Sequence, residues 1–220
     1  MSAAGGGEVW PVHGLSLRTG DVELRVMTET DLETVCRILP ADVELDPAAT
    51  RYVGLDERSS RSAIVAQGYW RALGTWSSES WALPFVVRGS GGAVLGVQWL
   101  EGPQFHSDRV VDSSSWLVVE ARGSGLGKQM RTAVLELAFG HLSAAAAVSS
   151  AVLRNAASLG VSRSLGYRDS HRSVLEHSGE TLQHLRLERS AWVESGRGRA
   201  VSVSGLQGAL PFFGLGDERA

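Results

Sequence analysis

The residues best suited to chemistry lie between Trp116 and Arg131, which read WLVVEARGSGLGKQMR. A β-branched run from Val110 to Val119 leads into Arg122, Gly123, Ser124, Gly125, Leu126 and Gly127, and a segment of helical periodicity follows Lys128. Amides at a helix start have no carbonyl one turn earlier to bond, and the helix dipole favours negative charge there. Glycines let a ligand approach that backbone closely, so the loop has the makings of a pyrophosphate site, with Arg122 and Lys128 adding positive charge.

Spacing separates the kinds of phosphate loop. A mononucleotide loop needs four residues between its first glycine and a Gly-Lys-Ser/Thr ending. Here Arg122 stands in the first position and Gln129 follows Lys128. A dinucleotide loop needs G-x-G-x-x-G and an acidic residue about 20 positions later, whereas this chain has G-x-G-x-G and no such residue. A glycine-rich turn that binds nothing is the remaining alternative on local pattern alone.

The elements around the loop follow from periodicity. Val22, Leu24 and Val26 alternate as in a strand, Thr28 to Asp31 offer a helix cap, and Leu32, Val35, Cys36 and Leu39 recur at helical spacing. Ala63 to Leu73 suggests a second helix, and WALPFVVRGSGGAVLGVQWL a hairpin. After the Val110 to Val119 strand, Gln129 to Leu142 is an amphipathic helix with Met130, Val134, Leu137, Ala138 and Leu142 on its apolar face and Arg131 and Glu136 off it. Ala144 to Val152 is apolar enough for a buried parallel strand, Asn155 caps a helix to about Leu165, and Arg172 to Glu176 and Thr181 to Glu188 make a last hairpin. Residues 1–19, rich in glycine at the start and without the pattern of a secretion signal, are expected to form a loose arm. Residues 20–193 are expected to form one domain, and the apolar extension 194–220 to dock on it or on a partner subunit.

Bulk composition narrows the partners. With 21 basic and 24 acidic side chains, the net charge of −3 gives no pull toward nucleic acid or anionic lipid. No run of about 18 apolar residues, the length a membrane helix needs, occurs. The single cysteine excludes an intrachain disulfide, no residues have metal-ligand spacing, and the cytoplasm is the expected compartment. Among the histidines, His171 and His177 are the two placed to border a pocket, although solvated loop histidines are commoner.

The R-G-x-G-x-G loop after a strand resembles the coenzyme A pyrophosphate loop of the GNAT acyltransferases. Asn155, Ser158, Leu165, Gly166 and Tyr167 form N-x-x-S followed by LGY, as in the subgroup that includes ribosomal-protein N-terminal acetyltransferases. The similarity runs from about Val22 to Trp192. VDSSSWL, MRTAVLELAF and NAASLGVSRSLGYRD resemble an actinobacterial branch, some of whose members use succinyl-CoA. The resemblance implies an α/β (α+β) fold with a mixed, strongly twisted sheet flanked by helices, in which the strand ending at Val119 splays from the strand at Ala144 to Val152. Pantetheine would lie in that gap along Leu117, Val118 and Val119, with the amides of Leu117 and Val119 meeting it and the thioester. The amides of Arg122 to Lys128 would hold the pyrophosphate, and Asn155 and Ser158 would meet the pantetheine arm. Acetyl-CoA is the expected co-substrate, with succinyl-CoA close behind, and no metal is implied.

An amine with a reference pKa of about 10.4 must lose a proton before it attacks a thioester. Asp112, on the strand that leads to the loop, is the candidate base, with Glu101 and Asp108 as alternatives. An amide at a bulged strand end near Leu117 would stabilise the oxyanion. Where many relatives carry a tyrosine that protonates the departing thiolate, this chain has Ser162. Ser162 or Ser158 would then serve as a hydrogen-bond donor, or acid catalysis would matter less because a thiol of pKa about 8.5 leaves readily.

Asp42, Glu44, Asp46, Asp56 and Glu57 would draw a cationic small-molecule amine to the acceptor cleft, and Arg109 or Arg163 would meet a succinyl carboxylate. A protein amine, N-terminal or lysine, and a non-catalytic coenzyme A-binding module are the alternatives. The apolar segment Leu210 to Leu215 suggests a homo-oligomer.

Overall fold

The structure, a computed structural model, describes residues 9–45, 49–176 and 178–215; Asp46 of the acidic run and His177 lie outside the described residues. Ten strands join one sheet: β1 (Ser16–Thr19), β2 (Val22–Val26), β3 (Trp81–Arg88), β4 (Val94–Gly102), β5 (Val110–Asp112), β6 (Ser115–Leu117), β7 (Ala146–Val152), β8 (Arg168–Val174), β9 (Thr181–Glu188) and β10 (Ser202–Ser204). Their order is β10-β1-β2-β3-β4-β5-β7-β9-β8, with β6 on β4. Every pairing is antiparallel except β5 with β7.

Helices α1 (Leu32–Ile38) and α2 (Glu57–Gly74) cover one face, where Leu32, Val35 and Tyr69 pack with Val86 and Val97. Helices α3 (Leu126–Glu136), α4 (Ala156–Ser164) and α5 (Arg189–Ser195) contribute to the larger core on the other face, through Met130, Val134, Leu159 and Trp192. The caps are as local chemistry dictates. Thr28 and Asp31 form a capping box ahead of α1, the Asp56 carboxylate accepts from the Ser59 amide at the start of α2, and Asn155 Oδ1 accepts from the Ser158 amide at the start of α4.

Three local expectations need correction. Residues 9–19 are not a loose arm: β1 pairs with both β2 and β10, and Val12, Leu15 and Leu17 are fully buried. The helix expected from Gln129 begins at Leu126, inside the glycine loop, and its last turn is π-helical over Leu137–His141. Arg131, expected off the apolar face, is buried beneath that helix. The extension packs on the same chain, with Ala209 and Phe213 in the main core and Trp76 Nε1 donating to the Phe212 carbonyl. Phe213 of the apolar segment is buried by this packing, and Leu210, Phe212 and Leu215 are partly buried.

Candidate active site

One strand direction organises the site. β5 runs parallel to β7 for three pairs, ending at Asp112 opposite Val148, while β6 pairs only with β4. The expected bulge is absent, because Glu101 lies opposite Asp112, Gln98 opposite Ser115 and Gly96 opposite Leu117 with no residue inserted. The strand from Val110 to Leu117 stays in register with β4 and leaves β7. Gly96 permits this, since a Cβ there would sit 2.2 Å from the Trp116 carbonyl oxygen. The Val118 amide donates to the Leu95 carbonyl, so by the alternation of an antiparallel ladder the amides of Ser115 and Leu117 point away from β4, toward the gap before β7.

The gap leads into the glycine loop. Gly123 and Gly125 have φ of +75° and +86°, where an L side chain is strained, and a Cβ on either would meet nothing within 4 Å. No packing reason therefore requires glycine, and the open space lies where the first amides of α3 emerge without intrahelical acceptors. These residues fit a pyrophosphate. Gly127 instead faces α4, its Cβ position 3.7 Å from Val161. Lys128 is exposed. Arg122 does not present a free charge: its guanidinium bonds both carboxylate oxygens of Asp42, at 2.6 and 2.9 Å, and Nε donates to the Leu117 carbonyl. Ser124 Oγ donates to the Ala121 carbonyl and so stiffens the same turn.

On the opposite face of the sheet lies a cleft of about 480 Å³ between α1, α2 and strands β3, β4 and β6. Trp99 and Trp116 line it, as do Glu44, Arg71 and Glu101. Glu101 faces Asp112 across the β4–β5 pair, and burial holds both carboxyls above the ordinary carboxylate range. The Asp112 charge raises Glu101 further and Arg71 opposes it, while the Ser113 amide, Arg131 and His184 partly offset the rise at Asp112. It is Glu101, held in the sequence reading only as an alternative, that lines the cleft; Asp112 Oδ1 accepts from the Ser113 amide. Asp108 lies in a helical turn before β5 and accepts from Ser107 Oγ.

The acidic run does not gather at the cleft: among its described residues only Glu44 lines it. Asp42 is paired with Arg122, Glu44 with Arg154, and Asp56 caps α2. Nor do the two arginines considered for an acyl carboxylate meet the gap. Arg163 is exposed and forks onto Asp169, and Arg109 lies at the far end of β5, over the Phe105 ring. Ser162 is buried with its hydroxyl 3.5 Å from Arg131 Nη1, and Asn155 and Ser158 sit at the α4 start. His171 stacks on His184, whose Nε2 meets Ser173 Oγ at 2.7 Å. Among the described residues no group of three or more His, Cys, Asp or Glu is placed to hold a metal, and no helix is long and apolar enough to cross a membrane. The residue most clearly missed from sequence is Arg131, because a charged side chain on an amphipathic helix carries no local sign of burial.

A mixed sheet opened between two strands, with a glycine loop at a helix start below the opening, defines an acyl-coenzyme A transferase architecture. Residues 21–168 match the acetyltransferase (GNAT) domain family, and the chain belongs to that family. Similar solved structures include a chimera of the spermidine N-acetyltransferase SpeG from Vibrio cholerae and hSSAT, with TM-score 0.62, 13% identity, and 79% of this chain and 99% of that one covered. A dodecameric spermidine N-acetyltransferase from Vibrio cholerae gives TM-score 0.61 at 12% identity, over 80% of this chain and 98% of that one. A probable acetyltransferase gives 0.62 at 12%, over the same shares.

Proposed function

We propose that this chain transfers an acyl group from acetyl- or succinyl-coenzyme A to the primary amine of a small cationic molecule, by direct attack on the thioester. The observation that carries this reading is the double use of the strand Val110–Leu117. One of its edges lines the gap above the glycine loop, and one of its faces, through Ser114, Ser115 and Trp116, lines the cleft that contains Glu101.

In this reading the amides of Gly123 to Gly127 take the pyrophosphate, and the amides of Ser115 and Leu117 stabilise the oxyanion. The ammonium form of the acceptor binds against Glu101 and the tryptophans, which favour a cation. The Glu101–Asp112 pair takes its proton, the amine nitrogen bonds to the acyl carbon, and the carbon–sulfur bond breaks. The electron pair leaves on sulfur as the nitrogen sheds its second proton, so that one of the two protons ends on sulfur, from the carboxyl or through water, and the other passes to solvent. A cleft of bounded volume favours a small acceptor over a protein amine.

The test is thiol release from acetyl- and succinyl-coenzyme A over a panel of polyamines, amino acids, aminoglycosides and N-terminal peptides. Spermidine, named for the Vibrio cholerae relatives, heads the panel. Turnover with a small cation supports the reading, turnover only with peptides replaces it with protein acylation, and binding without turnover leaves a coenzyme A-binding module.

A further inference from the structure

The chemistry above makes no use of the polar groups on the helix side of the gap. Arg131 of α3 is only 3% exposed. Its Nη1 donates to Ser149 Oγ on β7 at 3.1 Å and approaches Ser162 Oγ on α4 at 3.5 Å, while its Nε has no partner. The hydroxyls of Ser113 and Tyr167 are likewise buried and make no hydrogen bond of full geometry, although the phenol is within hydrogen-bonding influence of both Ser113 and Arg131. These groups are neighbours, since Arg131 and Ser113 both act on the Tyr167 phenol, which burial keeps protonated and therefore a donor. Among the described residues no carboxylate forms an ion pair with Arg131. Asp112, on the other face of β5, feels the guanidinium without bonding it.

Buried polar groups are normally satisfied, and a buried cation is normally paired, because desolvation otherwise costs several kcal/mol per ion. A buried guanidinium with an unpartnered Nε and no carboxylate, beside a phenol and a serine hydroxyl, makes a site that lacks its anion. Its position says which anion. Ser113 and Ser149 are the first residues beyond the last β5–β7 pair, Asp112 opposite Val148, so the cluster sits at the closed end of the gap. A thioester whose carbonyl meets the Ser115 and Leu117 amides would lie in that gap, with the far end of its acyl chain directed toward the closed end.

We propose that Arg131, Tyr167 and Ser113 bind a carboxylate carried by the acyl group, so that the donor is a short dicarboxylic monothioester of coenzyme A, not acetyl-CoA. This rests on the acyltransferase reading. Arg131 gives a planar fork suited to a carboxylate, and Ser149 and Ser162 orient it from two elements. The acyl methyl of acetyl-CoA would leave the guanidinium unpaired. The transferred product would be an amide ending in a carboxylate, which reverses the charge of a cationic acceptor at that end.

The experiment is calorimetric titration of the full chain with succinyl-, malonyl-, glutaryl- and acetyl-coenzyme A and free coenzyme A, repeated for Arg131→Met and Tyr167→Phe. The wild type is expected to bind one dicarboxylic thioester at least tenfold more tightly than acetyl-CoA, and Arg131→Met to lose roughly 30-fold in that ligand's affinity, bringing the ratio near one. Tyr167→Phe should lower the ratio by less. Equal affinities in the wild type would overturn the proposal and leave a water-filled cluster, as would a variant that weakens both classes of thioester alike. Should Arg131→Met fail to fold, the wild-type ratio and Tyr167→Phe decide alone. If no thioester and no coenzyme A binds, the acyltransferase reading fails and the proposal with it, a result distinct from binding without preference.

Discussion

At the scale of single residues, the role proposed for Glu101 and Asp112 ties rate to stability. A base must be ionised to take the amine proton, and both groups titrate above the ordinary carboxylate range, chiefly because they are buried. The rate kcat/KM is therefore expected to rise with pH through a midpoint higher than that of an exposed carboxylate. Glu101→Gln and Asp112→Asn should each lower kcat, by about 10²-fold or more for the one that takes the proton. Stability moves oppositely. A raised folded pKa means the native state prefers the neutral acid. The contribution is thus present below the unfolded value, about 3.9 for Asp and 4.3 for Glu, and is lost as pH rises through the folded one. Glu101→Gln and Asp112→Asn should consequently raise the thermal midpoint at pH 7 and leave it nearly unchanged at about pH 3, where the wild-type acids are already neutral. Unequal activity losses would name the base, whereas a destabilised variant at pH 7 would mean that the carboxylate is held by partners stronger than those seen here.

At the scale of elements, variants of the glycine loop separate side-chain from backbone contributions to the proposed coenzyme A binding. Gly125→Asp places a carboxylate where the backbone is open and φ is +86°, and it should abolish coenzyme A binding in calorimetry. Arg122→Ala and Asp42→Ala should have similar effects on that affinity, both small beside that of Gly125→Asp, because the two side chains form one exposed pair that ties the loop to the segment after α1. Loss of binding in Arg122→Ala alone would mean that the guanidinium leaves Asp42 for the phosphate. The loop was legible in sequence because its chemistry is local: positive-φ glycines, a strand before, a helix after. The caps at Thr28, Asp56 and Asn155 are local in the same sense. Arg131 was not legible, since only the approach of β7 and α4 from distant sequence buries it. The pairing of Asp42 and Glu44 was not legible because their partners, Arg122 and Arg154, lie far along the chain. β1 was missed for the same reason: four residues cannot declare a strand whose outer partner, β10, is contributed by residues 202–204.

At the scale of the whole molecule, the two ends of the described chain close one side of the sheet and meet in an aromatic cluster. Phe213 lies edge-on to Trp76 and Trp81, with centroids 5.3 and 4.9 Å apart, and Trp10 packs on Phe212. Trp81 in turn packs on the fully buried Phe105, which precedes β5, and the Arg109 carbonyl next to β5 accepts from the Ala145 and Ala146 amides. The terminal segments thus brace the end of β5 remote from the gap, and the strand proposed to serve donor and acceptor alike is anchored there. Phe213→Ala should cost about 3–5 kcal/mol and Leu17→Ala about 2–5 kcal/mol, read as a lower urea midpoint with an unchanged slope. Neither residue touches the glycine loop or the cleft, so thioester affinity per folded molecule should hold at temperatures well below the transition. Removal of residues 201–220 should lower stability further than Phe213→Ala, since it also strips β10 from β1 and uncovers Trp76, and tryptophan fluorescence should shift to longer wavelength. An unchanged urea midpoint after that truncation would make the extension an appendage and leave β1 as the true edge of the sheet. A midpoint lowered together with thioester affinity would show instead that the brace reaches the gap through β5.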